Sequence, residues 1–163
     1  MIRVGSGLRL NAVPGRKQPV YRFSGAPTWD PSALRDALSE ARSVRLSRGG
    51  FVILAVDPDA DVLDDATAKY VSVIRDEDGP LIDEPRAVAD LVEALAVTQV
   101  TDFVCMCTGD ASAEFFDSDR MLLAVVRLDF PNRIEWPHWP GQAYIAAPAR
   151  LRQWFATHYD IAN

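Results

Sequence analysis

Prolines stand at the start of three stretches in which apolar residues recur at helical spacing. Proline fits the first helical position, where its missing N–H breaks no hydrogen bond. The spacing of the apolar residues that follow Pro31, Pro85 and Pro148 in the sequence favours helices. The pattern predicts helices over residues 31–44 and 85–97, and a third from 148 to about 158.

Short apolar or β-branched runs between glycine-, proline- and aspartate-rich turns predict strands. Such runs lie at residues 19–23, 51–56 and 70–74, although a helix over 64–74 is a rival for the last. A break is expected at residues 76–80. Four further runs with short turns between them predict an antiparallel meander, with strands at 103–108, 111–116, 121–128 and 133–136.

The chain has 163 residues, of which 48% are hydrophobic and 25% charged. A chain of this length can bury a sizeable core, and its composition excludes a disordered protein. No apolar run approaches the roughly 18 residues of a membrane span. We therefore expect a single α+β domain, a mostly antiparallel sheet with a C-terminal four-strand meander covered by about three helices.

The net charge of −6 is unevenly distributed. Residues 1–29 contain five basic residues and no acid, whereas 30–163 contain 12 basic and 23 acidic residues. We interpret 1–29 as a basic N-terminal arm and 30–163 as an acidic body. Such a body repels nucleic acid and suits a protein partner with a basic surface, although acidity can also serve solubility alone.

The densest acidic segment follows the run at 51–56 and comprises Asp57, Asp59, Asp61, Asp64 and Asp65. An EF-hand calcium loop needs glycine at its sixth position and glutamate at its twelfth, where Val62 and Ala68 stand instead. We therefore interpret the five aspartates as candidate partner-binding residues, and no cofactor is expected.

Alternatively, the chain could be a small metal- or ligand-binding enzyme or sensor built around Cys105, Cys107, Asp110 and His138. Two cysteines and two histidines are few for a zinc site, and buried cysteines commonly pack as small apolar residues. Two cysteines this close on an extended strand are not expected to bridge each other. Because no secretion signal is recognisable at the start of the chain, we expect a cytoplasmic protein with free thiols.

No recognisable constellation of nucleophile, base and orienting group is present, so the chain is not expected to be an enzyme. The segment from Trp136 to Gly141 contains two tryptophans and two prolines. Exposed tryptophans are favoured interface anchors. Trp139 is accordingly a candidate apolar anchor, and the alternative is that it pins this loop into the core.

The C-terminal part of the chain contains the run from Cys105 to Asp110, residues 114–117, Ile134, Trp136 and a terminal helix with Trp154. In these features the chain resembles small actinobacterial proteins, some of them immunity proteins. The resemblance covers residues 100–159. Many of those proteins have histidines and a glycine where Asp129 to Asn132 stand here, and no catalytic residue carries over. The resemblance implies a non-catalytic protein-binding module, an immunity protein or antitoxin that occludes the active surface of a basic toxin.

Overall fold

A computed structural model describes the backbone of residues 9–10, 20–23, 27–49, 51–56, 69–74, 77–105 and 109–161, and the side chains of 27–49, 79–105 and 109–161. In these residues eleven strands form two sheets, and every pair of neighbouring strands is antiparallel. The smaller sheet has the order β1-β2-β5-β4. Its strands are Arg9–Leu10, Val20–Phe23, Lys69–Ile74 and Phe51–Val56, respectively.

The larger sheet has seven strands in the order β6-β3-β8-β9-β10-β11-β7. Strands β8 to β11 follow one another in sequence and in space as a four-strand C-terminal meander, and β8, β9 and β10 correspond to three of the four predicted strands. The bounds are Ser43–Arg48 for β3, Glu77–Ile82 for β6, Val97–Val100 for β7, Ala111–Phe116 for β8, Leu122–Asp129 for β9, Arg133–Glu135 for β10 and Gln142–Ile145 for β11.

Three helices accompany the sheets, as the sequence predicted: α1 at Ala33–Ala37, α2 at Pro85–Ala94 and α3 at Pro148–His158. Helix α2 begins at Pro85, and the Glu84 carboxylate accepts hydrogen bonds from the first free backbone N–H groups. These bonds hold the pKa of Glu84 below its usual value. No helix in the described part of the chain is long and apolar enough to cross a membrane.

The core lies on one face of the seven-stranded sheet. Side chains alternate between faces along a strand, and the apolar residues that β3, β8 and β9 contribute to the core cluster fall on every second residue, as Val44 and Leu46 do in β3. They belong to one cluster with Leu34 of α1, Leu91 of α2 and Leu151 of α3. The α+β class with a mostly antiparallel sheet is therefore confirmed.

Several boundaries differ from those predicted. Helix α1 covers only Ala33–Ala37; residues 38–40 form a turn, and the last two residues of the predicted helix, 43 and 44, lie in β3. Residues 103–105 form no strand; the first strand of the meander is Ala111–Phe116 and its fourth is Gln142–Ile145. Residues 77–80 of the expected break lie within strand β6, and residue 76 lies outside the described residues.

The predicted strand at 51–56 is confirmed, and the predictions at 19–23 and 70–74 are confirmed as Val20–Phe23 and Lys69–Ile74. Within the predicted basic arm, the described residues 9–10 and 20–23 are strands of the smaller sheet. The division into one arm and one body stays a prediction.

Candidate functional site

The five candidate partner-binding aspartates, Asp57, Asp59, Asp61, Asp64 and Asp65, lie outside the described residues. Their role stays a prediction.

Trp139 is buried, with 4% of its surface exposed. Its indole N–H donates to the Asp30 carbonyl at 3.2 Å, and its ring packs edge-on against Trp136 at 5.3 Å between ring centroids. The Thr28 N–H also donates to the His138 carbonyl at 2.7 Å, which ties the chain before α1 to this loop. The structure therefore matches the alternative in which Trp139 pins the loop into the core, and the indole offers no exposed anchor.

The alternative metal site is not assembled among the described residues. Cys105 is disulfide-bonded, so the expectation of free thiols is wrong for it, while Cys107 lies outside the described residues. The Asp110 carboxylate accepts a hydrogen bond from the Phe130 N–H at 2.7 Å. Burial lowers the pKa of His138. No group of three potential ligands from His, Cys, Asp and Glu occurs in the described ranges.

A row of polar side chains crosses five strands on the sheet face opposite the core. Cross-strand pairing sets each member directly beside the next, and four of the five are at most 2% exposed. The hydroxyls of the two serines and Oε1 of the glutamine have no hydrogen-bond partner in the part of the chain that the structure describes. We call these residues the polar row: Ser47, Ser112, Arg127, Glu135 and Gln142.

Arg127 is the centre of the polar row. Its guanidinium forms ion pairs with Glu135 and, at 3.5 Å, with Asp129, whose carboxylate also accepts a hydrogen bond from the Gln142 amide. The aliphatic part of Arg127 packs on Gly109, where a Cβ atom would lie only 2.5 Å from the arginine Cγ. The position therefore requires glycine beside a buried arginine side chain.

Burial raises the pKa of both Asp129 and Glu135, and the positive charge of Arg127 partly offsets this shift. Raised carboxyl pKa values occur at catalytic sites but also in structural ion-pair networks. Here the guanidinium and most of its neighbours are buried, so a substrate cannot reach them in this conformation. The polar row is therefore better suited to fixing the sheet than to contacting a ligand.

An exposed surface borders the polar row on the same sheet face. Arg133 lies opposite Asp129 on one side and opposite Tyr144 on the other. Its guanidinium stands over the Phe103 ring, 5.7 Å from the centroid, which is cation–π distance. Phe103, Val104 and Tyr144 are 54%, 52% and 41% exposed, respectively. We call Phe103, Val104, Arg133 and Tyr144 the aromatic rim.

The aromatic rim is positioned by the loop between β7 and β8. The Thr101 N–H and hydroxyl both donate to the Gln142 carbonyl at 2.8 Å, and the Gln142 N–H donates to the Phe103 carbonyl at 2.8 Å. Gly141 permits this approach, because a Cβ atom there would lie 2.6 Å from the Phe103 carbonyl oxygen. Phe103 is thus held against the sheet by backbone contacts and still exposes its ring.

A groove of about 580 Å³ lies beside α3. Its lining is mostly apolar, with Phe130 and Phe155 among its residues, and Asp110 and Arg152 supply charges. The size and the mixture of apolar walls with a few polar groups are typical of small-ligand sites.

Sequence reasoning missed the polar row and the aromatic rim. The signal for the polar row is alternation: Val126, Arg127, Leu128 and Asp129 alternate apolar and charged residues, as Arg133, Ile134 and Glu135 do. The polar members of both strands therefore share a face, but only the strand register places Glu135 beside Arg127.

No protein family, no curated protein and no solved structure matches this chain.

Proposed function

We propose that the chain is a non-catalytic protein-binding module whose contact surface is the aromatic rim. The observation that carries the proposal is the clustering of exposed apolar side chains. The described residues expose five large hydrophobic side chains, and three of them, Phe103, Val104 and Tyr144, belong to the rim. Tyrosine, phenylalanine and arginine are enriched in protein interfaces, so the composition of the rim supports this function.

The charge of the chain supports a basic partner. The acidic excess from residue 30 onwards attracts positively charged proteins and accelerates their encounter, while the apolar rim supplies short-range contacts. The immunity-protein interpretation names this partner as a basic toxin whose active surface is occluded. That interpretation rests on the charge and on the resemblance of residues 100–159.

A capture experiment tests the proposal. The tagged chain, a Phe103→Ser/Tyr144→Ser double variant and a Met121→Ser control are incubated with native cell lysate at low and at high salt. Met121 is a matched control because it is 44% exposed and lies outside the rim. We expect the wild type and the control to retain a basic protein at low salt. The double variant should retain at least about tenfold less of this protein, which is the effect of losing an interface hot spot.

Circular dichroism and thermal unfolding establish that the double variant is folded. Equal capture by the folded double variant and the wild type would contradict the rim as the contact surface. Absence of any specific partner at either salt concentration would contradict the protein-binding function itself.

The groove beside α3 supports a second candidate, the binding of a small ligand near Asp110. Ala156 lines the groove and is exposed, so Ala156→Trp would fill it with little effect on the core. A metabolite extract that raises the unfolding temperature of the wild type, but not of Ala156→Trp, would favour this function. Equal shifts in both proteins would contradict it.

A further inference from the structure

The two edges of the seven-stranded sheet differ in what they offer a further strand. Strand β6 contains Pro80, which has no N–H to donate and obstructs pairing along that edge. Strand β7 at the other edge, Val97–Val100, contains neither proline nor a charged residue. No strand of the described residues pairs with the outer side of β7, and Thr98 and Gln99 are exposed there.

The hydrogen bonds of β7 show which backbone groups face outwards. The Thr101 N–H donates to Gln142 of β11, so Thr101 faces into the sheet. Successive residues of a strand point their N–H and C=O groups to opposite edges, so the N–H and C=O of Val100 face away from β11. Within the described residues, the outer side of β7 therefore presents main-chain groups that no neighbouring strand pairs with.

We propose that an extended, basic segment of a partner protein pairs with β7 as an eighth strand of this sheet. The inference rests on the proposed function, because this segment would lie beside Phe103 and Tyr144 of the aromatic rim. In strand addition, main-chain hydrogen bonds supply affinity and alternate side chains supply specificity. Residues of the segment on the core face would be apolar, since they continue the face that holds Val100 and Ala143.

Charge favours a basic segment over a second copy of the chain. Residues 96–101 are uncharged, so the edge itself repels neither sign, whereas the exposed Asp102 beside it and the acidic body attract a basic segment. Two copies would each bring a net charge of −6.

Amide hydrogen exchange followed by NMR on the full chain tests strand addition directly. The probe is the peptide acetyl-Lys-Val-Lys-Val-Lys-Val-amide at concentrations up to millimolar. We expect it to slow exchange of the Val100 amide severalfold and to leave the Leu81 amide of β6 unchanged. The matched control is the same peptide with alternate amides N-methylated, which keeps its charges and side chains but removes donors along one edge; it should give no protection.

An unchanged Val100 amide at millimolar peptide would overturn strand addition, as would equal protection by the N-methylated peptide. Protection that grows with the concentration of the chain alone would overturn it in favour of a second copy. The proposed function is tested separately by lysate capture. If the rim double variant loses lysate capture but the peptide gives no protection, the chain is a protein-binding module that does not use β7. Peptide protection without any lysate partner leaves a strand-accepting edge and removes the support for the proposed function.

Discussion

Replacement of Arg127 by methionine tests the electrostatic structure of the polar row. The arginine is 2% exposed and forms ion pairs with Asp129 and Glu135. Methionine keeps an unbranched apolar chain against Gly109 but removes the positive charge, so little cavity forms and the carboxylates of Asp129 and Glu135 lose their positively charged partner. Breaking a buried ion pair in this way commonly costs about 3–5 kcal/mol. We expect Arg127→Met to lower the free energy of unfolding at pH 7 by about this amount.

The loss of stability in Arg127→Met should grow as the pH rises. Burial raises the pKa of Asp129 and Glu135 in the folded chain, and Arg127 opposes that rise. A carboxyl group with a raised folded pKa stabilises the fold below its unfolded pKa, and this contribution is lost as the pH rises through the folded pKa. Without Arg127 both folded pKa values rise further. The variant should therefore lie closest to the wild type in acid and fall away from it as the pH increases.

Urea denaturation followed by the fluorescence of the buried tryptophans provides the assay, repeated from acid to neutral pH. Arg35→Met is the matched control, because Arg35 pairs with Glu93 at 2.6 Å but its side chain is 62% exposed. Exposed pairs contribute about 0–1 kcal/mol, so this control should change stability little. A loss of stability in Arg127→Met that is no larger than in the control, or that does not grow with pH, would refute the assignment of Arg127 as the charge that compensates the carboxylates of Asp129 and Glu135.

Three further predictions concern single side chains. Gly141→Ala should lower the free energy of unfolding by about 1–3 kcal/mol or more, measured in urea, because its Cβ would lie 2.6 Å from the Phe103 carbonyl oxygen and 2.8 Å from that of Thr101; an unchanged midpoint would contradict this contact. Ser112→Ala should change stability by less than about 0.5 kcal/mol or increase it, since the buried hydroxyl has no partner in the described residues. A larger loss would show that the hydroxyl is bonded. Glu84→Gln should lower the unfolding temperature at pH 7, and the difference should vanish as the pH falls through the lowered pKa of Glu84, because a carboxylate with a depressed folded pKa stabilises only above it; a difference that persists in acid would refute the charged cap.

Elements with a strong local signal could be predicted from the sequence. Pro85 and Pro148 mark the starts of α2 and α3 because proline suits only the first turn, and the apolar spacing behind them has no rival. The end of the predicted helix at 31–44 failed because two signals overlap there. Helical spacing ends near Ala41, and two-residue alternation begins at Ser43. Local propensity does not decide such a boundary; pairing of β3 with β6 and β8 does.

The candidate site could not be predicted because it depends on register. Aspartate clusters and tryptophan pairs are visible in a linear sequence, whereas Arg127, Glu135 and Gln142 are single polar residues in three short strands. Strand β11 was missed altogether, since four residues carry too weak a periodicity. Tyr144 therefore had no predicted neighbour, and its place beside Arg133 became visible only with the pairing of β10 and β11.

The polar row also explains how the aromatic rim keeps its geometry. A slip of β9 by one residue would exchange the two faces of the strand and place Arg127 in the apolar core, where its charge would have no partner. The cost of that misplacement favours a single register even where the net contribution of a buried ion pair to stability is small. The same register sets Asp129 opposite Arg133, and Arg133 lies opposite Tyr144 across β10 and β11. The buried charges thus determine which side chains the exposed rim brings together.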